Sequence, residues 1–192
     1  MIGIVLFFGT HSVSMFALSL RDRMVSTSPL LWKFGYGVIS LVGLVLMSLG
    51  YIELKANPTV LYIPPAWLYY IPPVLLLPVF ILFLAPYFPG WISRSLRHPQ
   101  LVAVKSWALS HLLVNGTLGD VLLFGSFLLW GGALRVSIRC QREGAVRPVP
   151  GAPPSRVNDI ILVIVGLLFY GLFVAWAHYA WFGVDPVIVF RG

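Results

Sequence analysis

Charge is scarce in this chain. Of its 192 residues only 10% are charged, and only 6 are acidic, while 59% are hydrophobic. A soluble domain carries about 25% charged residues, so a water-soluble globular domain and a disordered segment are both excluded. Cysteine is nearly absent as well. The single Cys140 rules out an internal disulfide framework and a cysteine-based zinc or iron–sulfur site. Nor is there a phosphate-binding glycine loop, a dinucleotide fingerprint, a kinase signature or an HExxH pattern.

What remains is a series of long apolar runs. A membrane-spanning helix needs about 20 such residues. The runs predict an all-α polytopic membrane helical bundle of about six transmembrane helices, over 2–20, 34–51, 67–88, 99–116, 118–134 and 160–182, in a single transmembrane domain over 1–192. The first run has no Lys or Arg ahead of it and no small-residue cleavage site after it, so it is read as a retained helix rather than a signal peptide. Arg21-Asp22-Arg23 stops it. Pro72, Pro73 and Pro78 predict a broken or bent third helix, because each removes a backbone donor. Pro99 suits the first position of the fourth helix. Thr117-Leu118-Gly119-Asp120 has capping-box spacing at the start of the fifth. Asn158 or Asp159 is placed to cap the sixth. The connection over 135–159, rich in Arg, Pro and Gly, reads as a flexible loop. Ser40, Gly43 and Gly50 on the second span, and Gly171 with Ala175 on the sixth, predict close helix contacts.

The net charge of +7 is a topology signal here rather than a nucleic-acid footprint. Arg21, Arg23, Lys33, Arg94, Arg97, Lys105, Arg135, Arg139, Arg142, Arg147 and Arg156 flank the first, third and fifth loops, and only Lys55 and Arg191 fall on the other side, which accounts for all 13 basic residues. Positive loops stay in the cytoplasm. The expected location is therefore the inner (cytoplasmic) membrane, multi-pass, with both termini on the non-cytoplasmic side. Lys105 lies near enough to the cytoplasmic end of its span to snorkel.

Ionisable groups inside a bilayer are costly, which makes them functional candidates. His11 lies near the middle of the first span, His111 in the fourth slightly toward the outer side, His178 nearer the outer end of the sixth, and His98 at the cytoplasmic interface. A single buried imidazole commonly does no more than hydrogen-bond across a helix interface. Two at similar depth on different helices raise a second reading, since neutral imidazole is the usual axial ligand of haem iron and a common ligand of other metals. Helix alternation runs the first and fourth spans antiparallel, so His11 and His111 can meet at one level. Phe7, Phe8, Ser14 and Met15 lie one turn from His11, and Trp107, Ala108, Val114 and Asn115 one turn from His111. Ala108 leaves room for a flat macrocycle. A non-haem metal usually adds a carboxylate or a third histidine, and Asp22, Glu53, Asp120, Glu143, Asp159 and Asp185 all fall in loops or at helix ends. That favours haem. Its carboxylates would look to Lys55 or Arg191 outside, to Arg23 or Arg94 inside, or to Ser, Tyr, Trp and backbone groups.

Several segments resemble the NnrU family of bacterial membrane proteins. They are Phe7-Phe8-Gly9-Thr10-His11-Ser12 with Arg21, Ser40-Leu41-Val42-Gly43-Leu44 with Gly50-Tyr51, and Arg97-His98-Pro99-Gln100-Leu101 continuing through Trp107-Ala108-Leu109-Ser110-His111-Leu112-Leu113-Val114-Asn115-Gly116 to Leu123-Phe124-Gly125-Ser126-Phe127. The resemblance implies an accessory role in nitrite and nitric oxide reduction, with components of the nitrogen-oxide reductases as possible partners. The family is similar to 15-cis-ζ-carotene isomerase, an integral membrane haem b enzyme acting on a hydrophobic polyene. That similarity implies haem b with His111 and His11 as iron ligands, hence between the first and fourth helices, where Trp107, Ala108 and Asn115, by their spacing from His111, are the expected cofactor contacts. The isomerase carries a cysteine, implicated as alternate ligand, three residues before its fourth-helix histidine. Here that position is Ala108, which weakens the isomerase reading. A cofactor-free scaffold or small transporter built from two three-helix halves is the third alternative.

Overall fold

A computed structural model describes residues 2–96, 98–140 and 151–186, without the side chains of Ser14 and Arg139. Arg97, Arg142, Glu143, Arg147, Arg191 and positions 141–150 of the long loop lie outside the described residues. The helices, in chain order, are α1 Ile2–Phe16, α2 Leu18–Thr27, α3 Pro29–Ala56, α4 Ile71–Leu76, α5 Val79–Leu84, α6 Trp91–Ser95, α7 Pro99–Val114, α8 Leu118–Cys140, α9 Val157–Leu172 and α10 His178–Phe182. Among the described residues, β-type pairing is limited to an isolated bridge between Val60 and Thr117. The chain divides into two compact units, Met1–Ile63 with Asn115–Ala145, and Pro64–Val114 with Val146–Gly192.

In the first unit, α1 and α3 cross closely because glycines sit at the crossing. A Cβ on Gly3 would lie 2.6 Å from the Leu46 carbonyl carbon and 2.7 Å from the Gly43 carbonyl oxygen, and one on Gly43 would lie 2.8 Å from the Phe7 nitrogen. Only hydrogen fits there, as expected where helices pack without a hydrophobic drive between them. The contact expected at Gly43 is thus present. The α3 helix begins at Pro29 rather than at 34. Ser28 caps it, accepting from the Leu31 N–H at 3.4 Å, and Pro29 occupies a first-turn position where its missing N–H costs nothing. The expected first span over 2–20 is interrupted. The α1 helix ends at Phe16, Ala17 leaves the helical region (φ −133°, ψ 48°), and the chain turns by 78° into α2. Arg21-Asp22-Arg23 therefore lies within a short polar helix and not in a loop. The α8 helix runs past the expected 134 to Cys140.

The second unit holds the proline-rich span. It breaks as predicted, into a 3-10 turn Ala66–Tyr70, then α4, α5 and a second 3-10 turn Ala85–Tyr87. The Tyr170 hydroxyl donates to the Pro73 carbonyl at 3.0 Å, satisfying backbone at the break. Packing of α5 on α9 depends on Gly166, whose Cβ would meet the Ile81 backbone at 2.9 Å. Gly171, expected to make such a contact, is exposed and meets nothing within 4 Å among the described residues, and Ala175 is exposed too. Neither Asn158 nor Asp159 caps α9. Asp159 instead accepts from the Trp91 and Ile92 N–H groups at 2.8 and 3.0 Å and so caps α6, while the Asn158 amide donates to the Pro89 and Pro153 carbonyls at 2.9 Å each. A five-residue π turn, Phe173–Ala177, joins α9 to α10.

The outward faces are apolar. Leu41, Val45, Leu49 and Ile52 of α3 are 62, 50, 57 and 64% exposed, a surface that suits hydrocarbon and not water. Four helical runs among the described residues are long and apolar enough to cross a membrane, namely Pro29–Ala56, Ala66–Tyr87, Leu118–Ile138 and Val157–Phe182, and the bent pair α1–α2 makes a fifth if it is one span. The remaining span expected from the sequence corresponds to α7, whose 16 residues reach only about 24 Å at 1.5 Å per residue. The chain is an all-α, multi-pass membrane protein.

Candidate functional site

His11 sits where α1, α3 and α8 meet. Its Nδ1 lies 2.8 Å from the Phe7 carbonyl oxygen. A carbonyl can only accept, so Nδ1 carries the proton and the acceptor lone pair of the neutral ring is at Nε2. Phe7 stacks on the imidazole with centroids 4.1 Å apart, Tyr36 lies 5.2 Å away, and Trp130 meets it edge-on at 5.9 Å. The Trp130 indole donates to the Ser12 hydroxyl at 3.1 Å, and Phe8 packs on both Trp130 and Phe127. Of this aromatic cage the sequence pointed to Phe7 and Phe8. Tyr36 and Trp130 come from other helices and carried no local signal, while Phe127 closes the last of the family-like segments.

His111, in the second unit, repeats the arrangement. Its Nδ1 is 2.9 Å from the Trp107 carbonyl oxygen, and the Trp107 ring is 5.3 Å from the imidazole. Ala108 is fully buried. Asn115 lies beyond the end of α7 at Val114, and its carbonyl accepts from the Tyr62 hydroxyl at 2.8 Å in the first unit. His178 points its Nδ1 at the Val184 carbonyl at 2.8 Å, just after the π turn. His98 is half-buried beside Pro99 at the start of α7. Among the described residues no three of His, Cys, Asp and Glu come together.

One polar cluster was only partly anticipated. The capping box is formed, with the Thr117 hydroxyl donating to Asp120 at 2.6 Å and the Thr117 N–H at 3.0 Å. Asp120 is also fully buried and accepts from the Tyr51 hydroxyl at 2.8 Å and the Lys55 ammonium at 3.4 Å. Lys55, one of the basic groups considered for a cofactor carboxylate, is thus held by Asp120. The nearby Tyr62 phenol is pushed above its usual value by partial burial and by the Asp120 charge.

Apolar helices that expose their side chains outward, with half-buried histidines set beside aromatic rings, define a polytopic membrane protein with candidate ligand residues. The chain belongs to the NnrU family, whose model, described as NnrU protein, matches residues 1–186. Comparison with curated proteins and with solved structures gave no match.

Proposed function

We propose that this NnrU-family membrane protein binds haem b with His11 and His111 as its iron ligands and serves a redox role accessory to nitrite and nitric oxide reduction. The observation that supports it is the shared tautomer. In each imidazole the Nδ1–H donates to the carbonyl four residues back, an arrangement that orients a ligating histidine and raises its basicity. The donor chemistry fits the group: each histidine offers a neutral imidazole beside an aromatic ring, and among the described residues no carboxylate joins either of them in a metal-holding group. When bound, haem would supply one-electron or gas-ligand chemistry. The chain's own part is to orient the rings through Phe7 and Trp107 and to exclude water with Phe8, Phe127 and Trp130. The accessory role rests on family membership. A haem-dependent ζ-carotene isomerase is the weaker reading, because buried Ala108 offers no alternate ligand.

The test is an absorbance spectrum of protein purified after expression with ample haem. A Soret band is expected, shifted or lost in His11→Ala and His111→Ala. Its absence in the wild type would reject haem binding. For the role, membranes from a strain lacking the protein should consume nitrite or nitric oxide more slowly, with recovery on complementation.

A further inference from the structure

The short helix α2 presents three faces. At about 100° per residue, Leu18, Arg21 and Val25 fall together, and all three are half-buried where α2 packs on α1 and α3. Asp22, Ser26 and Arg23 form a second face, which is polar and exposed. Leu20 and Met24 form the third, an apolar stripe 51 and 45% exposed. Such a stripe is unfavourable against water and at home against hydrocarbon. The setting of α2 puts hydrocarbon within its reach. The helix leaves α1 at 78°, so where α1 runs through the bilayer α2 lies close to the membrane plane. Phe16, the last residue of α1, is 80% exposed, and its lipid-facing surface leads directly into the Leu20–Met24 stripe.

The two arginines flank that stripe, Arg21 on its packed side and Arg23 on its polar side. Arg23 takes part in no ion pair among the described residues. Arg21 meets the adjacent Asp22 through Nε at 3.9 Å, and that carboxylate is itself 64% exposed. A pair of this kind is weak. The segment 18–33 sets Arg21, Arg23 and Lys33 against the single acid Asp22, so it carries an excess of positive charge. We propose that α2 lies in the headgroup layer at this end of α1 and binds anionic phospholipid, with Leu20 and Met24 among the upper acyl chains and Arg23 and Arg21 on the lipid phosphates. The apolar stripe supplies attachment, and the flanking guanidinium groups supply the preference for lipid of net negative charge.

The placement is tested on full-length protein in a Cys140→Ser background, with nitroxide labels at Met24→Cys and Ser26→Cys, in vesicles of phosphatidylcholine with phosphatidylglycerol. The label at 24 should be reached by oxygen and shielded from a water-soluble nickel chelate, and the label at 26 should behave the opposite way. Equal access of nickel to both positions overturns the proposal. The lipid class is tested by thermal melting in neutral detergent on titration with phosphatidylglycerol, phosphatidylcholine or glycerol 1-phosphate. Phosphatidylglycerol should raise the Tm, and the other two should not. Arg23→Gln and Arg21→Gln should each move the midpoint of that rise to about fivefold more lipid, the scale of one basic residue at an anionic membrane surface. Arg23 is exposed, so its replacement leaves the packed face of α2 intact. Equal stabilisation by phosphatidylcholine, a matching effect of glycerol 1-phosphate, or an unmoved midpoint in Arg23→Gln each overturns the proposal.

Discussion

Asp120 has the highest stakes of any single residue outside the histidines. Its buried carboxylate takes hydrogen bonds from Thr117, Tyr51 and Lys55, tying the start of α8 to the end of α3. Removing one partner of a buried network strands the others. Asp120→Ala should therefore destabilise the protein by about 3 kcal/mol, and Tyr51→Phe by about 1 kcal/mol, both measured as thermal unfolding in detergent. Equal melting of Asp120→Ala and wild type would show the network to be idle. Half of this network was legible beforehand. Thr117 and Asp120 are three residues apart, a local spacing with a local meaning. Tyr51 and Lys55 are 69 and 65 residues away, and no periodicity connects them to the cap. The same divide separates Phe7 from Tyr36 and Trp130 around His11.

At the scale of elements, glycine decides how near the helices come. A methyl on Gly43 meets the Phe7 backbone at 2.8 Å, and backbone cannot rotate away as a side chain can. Gly43→Ala should cost about 1–3 kcal/mol through overpacking and, by displacing Phe7, perturb the ring of His11. Gly37, on the same helix, meets nothing within 4 Å among the described residues. Gly37→Ala should be neutral or stabilise by up to about 1 kcal/mol through helix propensity. Thermal melts of the pair check both signs, and similar behaviour of the two variants would refute the close crossing. The elements themselves were unevenly readable. Proline chemistry is local, so the break of the third span was plain from Pro72, Pro73 and Pro78. The bend at Ala17 had no such mark, because Phe16, Ala17 and Leu18 are ordinary apolar residues. Ser28-Pro29 did mark the start of α3, but the apolar run drew the boundary later. Asp159 looked like the cap of its own helix and serves α6 instead, a choice made by tertiary contact.

At the scale of the whole chain, the number of crossings follows from a constraint within the first unit. The end of α3 and the start of α8 lie on the same side, joined by Lys55 with Asp120 and by the pairing of Leu61 with Gly116 at 2.8 Å. The chain leaving at Pro64 and returning at Asn115 must therefore cross the membrane an even number of times. If the apolar run Ala66–Tyr87 crosses, α7 must cross back, short as it is, with local thinning of the bilayer absorbing the mismatch. The predicted total is then six, if the bent α1–α2 pair, α3, α8 and Val157–Phe182 each cross as well. The excess of basic residues predicts the direction, with Arg94 and Arg135 expected on the cytoplasmic side. The exposed Cys140, the chain's single cysteine, is a native reporter of this arrangement. A membrane-impermeant maleimide should label it in inverted vesicles and not in spheroplasts. In a Cys140→Ser background, Ser95→Cys, beyond the broken span, should label like Cys140, and Asn57→Cys, beyond α3, from the opposite side. Labelling of Ser95→Cys from the same side as Asn57→Cys would mean that Ala66–Tyr87 turns back without crossing, and both it and α7 would drop from the count.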